Sequence, residues 1–335
     1  MRELALVQYV KSLAVTEGSI PAAIEYAKLN YGITNPAVRL LEKQLVSTGD
    51  LNADPDFRSA GRAFVELIRT RSLIGKIAAV SAFRKVPVNT RVLKQSESPV
   101  AQWTAQGGLV KVSHTRFDQE FIDSQKITAL LVLTNELLRG QGADFESAVS
   151  RDLTRPIAEL EGRSFIDPTS AGIEGLSPAS ITYGVTPIAS SGTDAEALRL
   201  DIKALFDAFE GSLEDAVLVM NPMTAVSLSL MQRTLGQSGL TLNGGDLFGV
   251  PTVTSEAVPR DMVALVDPSS ILLVDEGISL TVSEQSTLQL EDDADGNAQY
   301  LSLWQQNLTG LMASRYLNWK AVREGSVAWL SGVQW

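Results

Sequence analysis

His114 is the one histidine in this 335-residue chain, and there is no cysteine. A Ser-His-Asp arrangement for acyl transfer would have to be built on that single imidazole. No Gly-x-Ser-x-Gly elbow is present to raise a nucleophilic serine. A lone histidine is the ordinary content of a structural or exposed position, so catalysis through His114 is the weaker reading. Without cysteine, disulfides and thiolate metal sites are excluded, which fits maturation in reducing cytoplasm. Phosphate chemistry fares no better. Gly75-Lys76 lacks the upstream glycine of a phosphate-binding loop, because position 70 is threonine. Gly140-Gln-Gly142-Ala-Asp-Phe145 opens like a dinucleotide fingerprint, but its third glycine is missing and no clean strand precedes it. Glu291-Asp-Asp-Ala-Asp-Gly-Asn297 sets acids at positions 1, 3 and 5 of a calcium-type loop and Gly296 at position 6. Its twelfth position is Ser302, where a bidentate glutamate belongs, and strand-like rather than helical sequence flanks it. A solvated turn is the plainer reading. No cofactor and no metal is called for, and a hydrolase would have to draw on Asp/Glu pairs such as those within 292–295.

The remaining chemistry is recognition. Residues 96–108 read Ser-Glu-Ser-Pro-Val-Ala-Gln-Trp-Thr-Ala-Gln-Gly-Gly. Polar and small residues surround one large apolar side chain, Trp103, which suits neither a core nor an ordinary surface loop. Aromatic side chains are enriched at the centres of protein interfaces, which makes Trp103 a candidate anchor. Arg91, Lys94, Gln106, Gly107 and Gly108 stand beside it as further candidates for subunit contact. The plainer alternative is that Trp103 folds back onto its own hairpin.

The elements that must present this stretch follow from periodicity. Val86, Val88, Thr90 and Val92 alternate with other residues and predict a strand. Residues 109–121 return with Val110, Val112, Phe117 and Phe121, so 83–122 reads as a long hairpin with a polar, glycine-rich tip. Before it, residues 1–82 read as a loosely organised helical arm, with Pro21 and Pro36 at helix starts. Phe57, Gly61, Phe64, Val65 and Ile68 share one helical face. After the hairpin, 127–133 is a buried-strand candidate. A long helix over 144–165 follows, with an apolar stripe of Phe145, Val149, Leu153, Ile157 and Leu160 and an expected kink at Pro156.

Beyond a Gly/Ser/Pro-rich crossover at 168–192, Thr193-Asp-Ala-Glu196 reads as a capping box. The helix behind it is expected to stop at Gly211. Strand 216–220 leads to a helix capped by Asn221-Pro222 and ending at Gly236. Short strands are expected at 250–254, 262–266, 271–274, 278–282 and 287–290. Residues 300–322 predict a strand pair turning near Thr309-Gly310. Helices mixed with such strands indicate an α+β chain.

Several stretches, in order, resemble the major capsid proteins of tailed phages of the Hong Kong 97 type. Ala101-Gln-Trp-Thr-Ala-Gln-Gly107 is similar to the family's Trp-Val-x-Glu-Gly element in an extended E-loop. Thr134-Asn-Glu-Leu-Leu138 resembles its Ser-x-Glu-Leu-Leu step before the long spine helix. Val219-Met-Asn-Pro-Met-Thr224 and Gly244-Gly-Asp-Leu-Phe-Gly-Val-Pro251 resemble two A-domain signatures. Arg315 and Lys320 stand where the last P-domain strand carries basic residues. The resemblance covers about 83–330 and leaves the first 60 residues unmatched. The acidic residue usual after the tryptophan is Gln106 here.

The resemblance implies an N-terminal helical arm (1–82), an E-loop hairpin (83–122) and a P-domain with spine helix (123–192). An A-domain (193–298) and returning P-domain strands (299–335) complete it. It implies a non-enzymatic shell protein of the virion, assembled in the host cytoplasm from hexamers and pentamers of itself around double-stranded DNA. Portal and scaffolding proteins would be its other partners, and packaged DNA would be touched only weakly. An encapsulin-like nanocompartment shell is the alternative on the same fold. Trp103 would then be an anchor buried on an adjacent subunit. Some relatives join subunits by a Lys–Asn isopeptide bond helped by a Glu. Lys94, Asn307, Asn318 and Glu324 are present here, but no spacing ties them together.

Charge and hydropathy are consistent with this. The formal net charge is −11. Residues 1–126 carry 17 Lys and Arg against 12 Asp and Glu, and residues 127–335 carry 11 against 27. Chains with a basic and an acidic part can pair head to tail, and the acidity argues against a broad nucleic-acid face. No apolar run approaches the ~18 residues of a membrane span. No signal-peptide pattern opens the chain, and with Met1 at its start nothing supports removal of a prodomain.

Overall fold

A computed structural model describes residues 5–16, 19–46, 68–95, 117–140, 143–235, 239–290 and 299–335. These fall into two compact units, and four elements contribute residues to both. The first unit comprises Met1–Arg71, Lys126–Glu159 and Gly277–Tyr316; the second comprises Ser72–Gln125, Leu160–Glu276 and Leu317–Trp335.

In the first unit, helices Ala5–Val15, Ile20–Tyr31 and Pro36–Val46 form one layer. Proline in the first turn starts the second helix, and Gly32, at φ 88°, ends it. Asn35 caps the third helix by accepting from the Ala37 amide (2.9 Å), and its own amide donates to Gln8 Oε1 (3.0 Å) on the first. Ala23, Ile24, Ala27, Val38, Leu40 and Leu41 are buried together with Val149, Leu153, Ile157, Leu311 and Ala313. The helices are therefore not a loose arm: Ala5–Val15, Ile20–Tyr31 and Pro36–Val46 all share the unit's core. The reason is the small-residue stripe Ala23, Ala27 and Ala37, fully buried, which lets the helices approach closely.

Strand Gln125–Thr134 lies beside Leu308–Ala321, which lies beside Ile271–Ser283. Ile127, Ala129, Leu131 and Leu133 pack against the core from the first of these, the alternation of a half-buried strand. Two expected breaks are absent. Ile271–Ser283 is one strand rather than two, with Gly277 at φ 98° inside it. Leu308–Ala321 runs straight through Thr309-Gly310. A Cβ at Gly310 would stand 3.1 Å from Leu303 Cδ1, a tight contact that a small shift of that side chain would relieve. The turn comes earlier, at 303–307, where Asn307 has φ 53°. It follows an antiparallel pair, Thr287–Gln289 with Tyr300–Ser302.

The long helix is Ala143–Ile166, with Pro156 inside it. Val149, Leu153 and Ile157 are buried as expected, but Leu160 is 51% exposed and Glu161 takes the buried position. Steps of four residues carry the buried stripe from 157 to 161 and on to Phe165, leaving 160 off it.

The second unit holds a seven-stranded sheet. Its order is Ile188–Ala189, Val327–Ser331, Met262–Val266, Val217–Met220, Val250–Thr254, Gly244–Leu247, Leu240–Thr241. Met262–Val266 is antiparallel to both of its neighbours, and Val217–Met220 runs parallel to Val250–Thr254. Helices Ala195–Asp207 and Pro222–Leu235 contribute Leu198, Ile202, Leu205, Ala225 and Leu228 to its core. The first is capped by Asp194, not Thr193: the Asp194 carboxylate accepts from the Ala197 amide at 2.9 Å. It ends at Asp207 rather than at Gly211. Asn221 caps the second, as expected, accepting from the Met223 amide at 3.0 Å. Gly244, at φ 99°, is held to glycine because a Cβ would stand 2.4 Å from the Thr252 carbonyl oxygen. Lys76, on helix Leu73–Val80, donates to the Thr254 carbonyl at 2.8 Å, a structural use of a residue once weighed for phosphate.

Candidate assembly surface

The base of the expected hairpin is present. Thr90–Gln95 pairs antiparallel with Phe117–Ile122, in a register from Thr90 opposite Ile122 to Gln95 opposite Phe117. Arg91 is exposed and stands opposite Phe121, itself 58% exposed; Lys94 stands opposite Asp118. Trp103, Gln106, Gly107 and Gly108 lie outside the described residues, as do His114 and the acidic stretch 291–297.

Beside the hairpin base, within the second unit, is a groove of about 900 Å³. Phe121, Ile173 and Tyr183 line it and are half-exposed or more. Its wall at 179–185 is pinned by two buried indoles. Trp319 Nε1 donates to the Ala179 carbonyl (2.9 Å) and Trp329 Nε1 to the Val185 carbonyl (3.0 Å). Phe165 stacks edge-on against Trp319, centroids 5.4 Å apart. Polar and charged residues share the lining, among them Asp123, Glu174, Lys320, Arg323 and Glu324.

The cross-linking candidates are separated by this geometry. Asn318 is buried, and its amide donates to the Asp123 backbone carbonyl (2.8 Å) and carboxylate (3.1 Å), so it is held in structural service. Asn307 is exposed, and its side-chain carbonyl accepts from Asn135 (2.9 Å), whose own carbonyl accepts from the Thr309 hydroxyl. Arg315 is buried and Lys320 exposed, so the two basic positions of that strand face different surroundings.

The perturbed carboxylates are likewise structural. Burial by itself would push Asp201 up, but hydrogen bonds from Ser190, Trp335 and Ser191 outweigh it and hold the carboxyl below its ordinary value. Asp267 is held low in the same way, by Ser269, Ser270 and Ser212. Burial lowers the Lys76 ammonium, against a raising effect of Glu256. Among the described residues no group of three His, Cys, Asp or Glu is placed to hold a metal. One exposed aromatic pair escaped the sequence reading: Trp304, 75% exposed, and Tyr300, 67% exposed. Its signal was the one used for Trp103, a tryptophan among glutamines.

The fold has known counterparts. A structure from Mycobacterium phage Adephagia matches 78% of this chain and 90% of that one, with a TM-score of 0.58 and 12% identity. The capsid of a native GTA particle matches 77% and 90%, with a TM-score of 0.53 and 16% identity. This is the Hong Kong 97-type fold expected from the sequence. A capsid polyprotein of Pseudomonas phage PAJU2 is 35% identical over 289 residues, 81% of this chain and 43% of that protein. A major capsid protein of Klebsiella oxytoca phage phiKO2 is 22% identical over 170 residues, 50% of this chain and 38% of that protein. The chain spans about two fifths of the length of these curated relatives. The profile of the phage capsid family matches residues 58–331, most of the sequence and both structural units: the chain belongs to the phage capsid family.

Proposed function

We propose that the chain is the major capsid protein of a tailed phage, a non-enzymatic subunit whose copies close into an icosahedral shell around double-stranded DNA. The observation that carries this is the family match over 58–331 on a Hong Kong 97-type fold. The names of the two phage relatives support it. In this reading hexamers and pentamers form in the host cytoplasm, with portal and scaffolding proteins as partners, and the shell ends in the virion. The division into arm, E-loop, P-domain and A-domain belongs to the same proposal. So does the anchoring role of Trp103, with Arg91, Lys94, Gln106, Gly107 and Gly108 beside it. The hairpin base at Thr90–Gln95 and Phe117–Ile122 supports that role by framing the segment. Electron microscopy of the purified chain tests the reading. Closed shells or capsomers are expected; a chain that stays monomeric at every concentration and salt overturns it.

A further inference from the structure

Strand Gln125–Thr134 is the last in its sheet, and among the described residues nothing pairs with its outer edge. An edge strand presents a row of unpaired N–H and C=O groups, and proteins usually blunt it with proline, charge, a bulge or shortness. Of these devices the strand has one, the exposed Lys126 next to its start. The strand is ten residues long, where strands average about five or six, and contains neither proline nor glycine. Residues 127–134, Ile-Thr-Ala-Leu-Leu-Val-Leu-Thr, carry no charge. The strand is also rigidly presented. Ile127, Ala129, Leu131 and Leu133 pack into the core, and Thr128 Oγ1 lies 3.3 Å from Ser314 Oγ on the neighbouring strand. On the opposite face Leu130 is 50% exposed. A β-prone edge whose last eight residues are uncharged is, on a free protein, a site of uncontrolled association unless something pairs with it.

We propose that this edge is an assembly site: an extended segment of a second copy adds to it as a further strand. The inference rests on the shell reading above, in which every neighbour is another copy. Addition of this kind is heterologous, since the edge of one copy takes a different segment of the next, and heterologous contacts are those that close rings. Main-chain hydrogen bonds supply the attraction, and the uncharged stretch 128–134 selects an uncharged segment.

Residue-resolved hydrogen exchange tests it, on the free subunit and on particles assembled from the purified chain alone. In the free subunit, amides along 125–134 should alternate between protected, where they face Leu308–Ala321, and fast, where they face outward. In the particles the outward set should slow by about tenfold or more. Because no other protein is present, that slowing identifies a second copy as the occupant. Particles in which the alternation persists overturn the inference and leave the shell reading standing; a chain that never leaves the monomeric state overturns both. Leu130→Lys gives a second readout. The free subunit should melt as the wild type does, while particle yield falls at least about tenfold, since lysine guards edges against strand addition. Normal particle yield from Leu130→Lys overturns the inference.

Discussion

Among the described residues each buried tryptophan finds an acceptor for its N–H: Trp319 at Ala179, Trp329 at Val185, Trp335 at the Asp201 carboxylate (2.8 Å). An indole buried in this way gains from its area and keeps its polar handle satisfied. Trp304 stays in solvent, and for Trp103 the same gain is expected on a neighbouring subunit. Trp103→Ala should therefore leave the melting temperature of the free subunit unchanged. It should weaken each intersubunit contact by about 2 kcal/mol or more, read as lost particles in sedimentation; a lowered melting temperature would instead place Trp103 in its own subunit's core. Asp201 gives a pH-dependent case. Its carboxyl lies below the ordinary value, so the folded state binds the proton more weakly than the unfolded chain. The stabilisation is thus complete at neutral pH and lost as pH falls below about 4. Melting curves should show the wild type losing more stability from pH 6 to pH 3 than Asp201→Asn does.

Among elements, the N-terminal helices changed most between expectation and structure. The sequence reads residues 1–82 as a loosely organised helical arm. The shared core says otherwise. Removing residues 1–46 uncovers Val149, Leu153, Ile157 and the inward side chains of strand Gln125–Thr134, so the truncated chain should aggregate rather than remain as a soluble monomer. Leu40→Ala, at a fully buried position, should cost about 2–5 kcal/mol, measured by denaturant unfolding. In the second unit, Gly244→Ala would add both a left-handed strain and a contact of 2.4 Å with the Thr252 carbonyl. It should lower the melting temperature, whereas Gly249→Ala, with the same sign of φ but open space, should lower it less.

For the whole molecule, the charge division is the property most open to solution measurement. A basic first third and an acidic remainder, in a chain of net charge −11, favour contacts between unlike parts of neighbouring copies. Exposed charges are screened beyond about 8–10 Å at 0.1–0.15 M salt. Assembly followed by light scattering should therefore slow and weaken from low to high ionic strength. Assembly that strengthens with salt would assign the contacts to apolar surface, to which the exposed Phe121, Ile173 and Tyr183 contribute.

What was legible in the amino acids was local or repeated in order. Proline and asparagine marked helix starts, short β-prone runs marked Val217–Met220, Val250–Thr254 and Met262–Val266, and four short motifs in sequence pointed to the family. These signals are carried by neighbours a few residues apart, so a linear reading finds them. Tertiary structure alone decided the rest. The gap at 275–277 and Thr309-Gly310 read as breaks but lie within long strands, which pair with one another in the sheet. Val327–Ser331 read as part of a returning tail but is an inner strand of the seven-stranded sheet, joined to Met262–Val266 from 65 positions away. Leu160 and Glu161 exchanged places because helix packing, not hydrophobicity, chose the buried face. In each case the deciding partner is distant along the chain, and contacts made across such distances leave no local mark on the sequence that makes them.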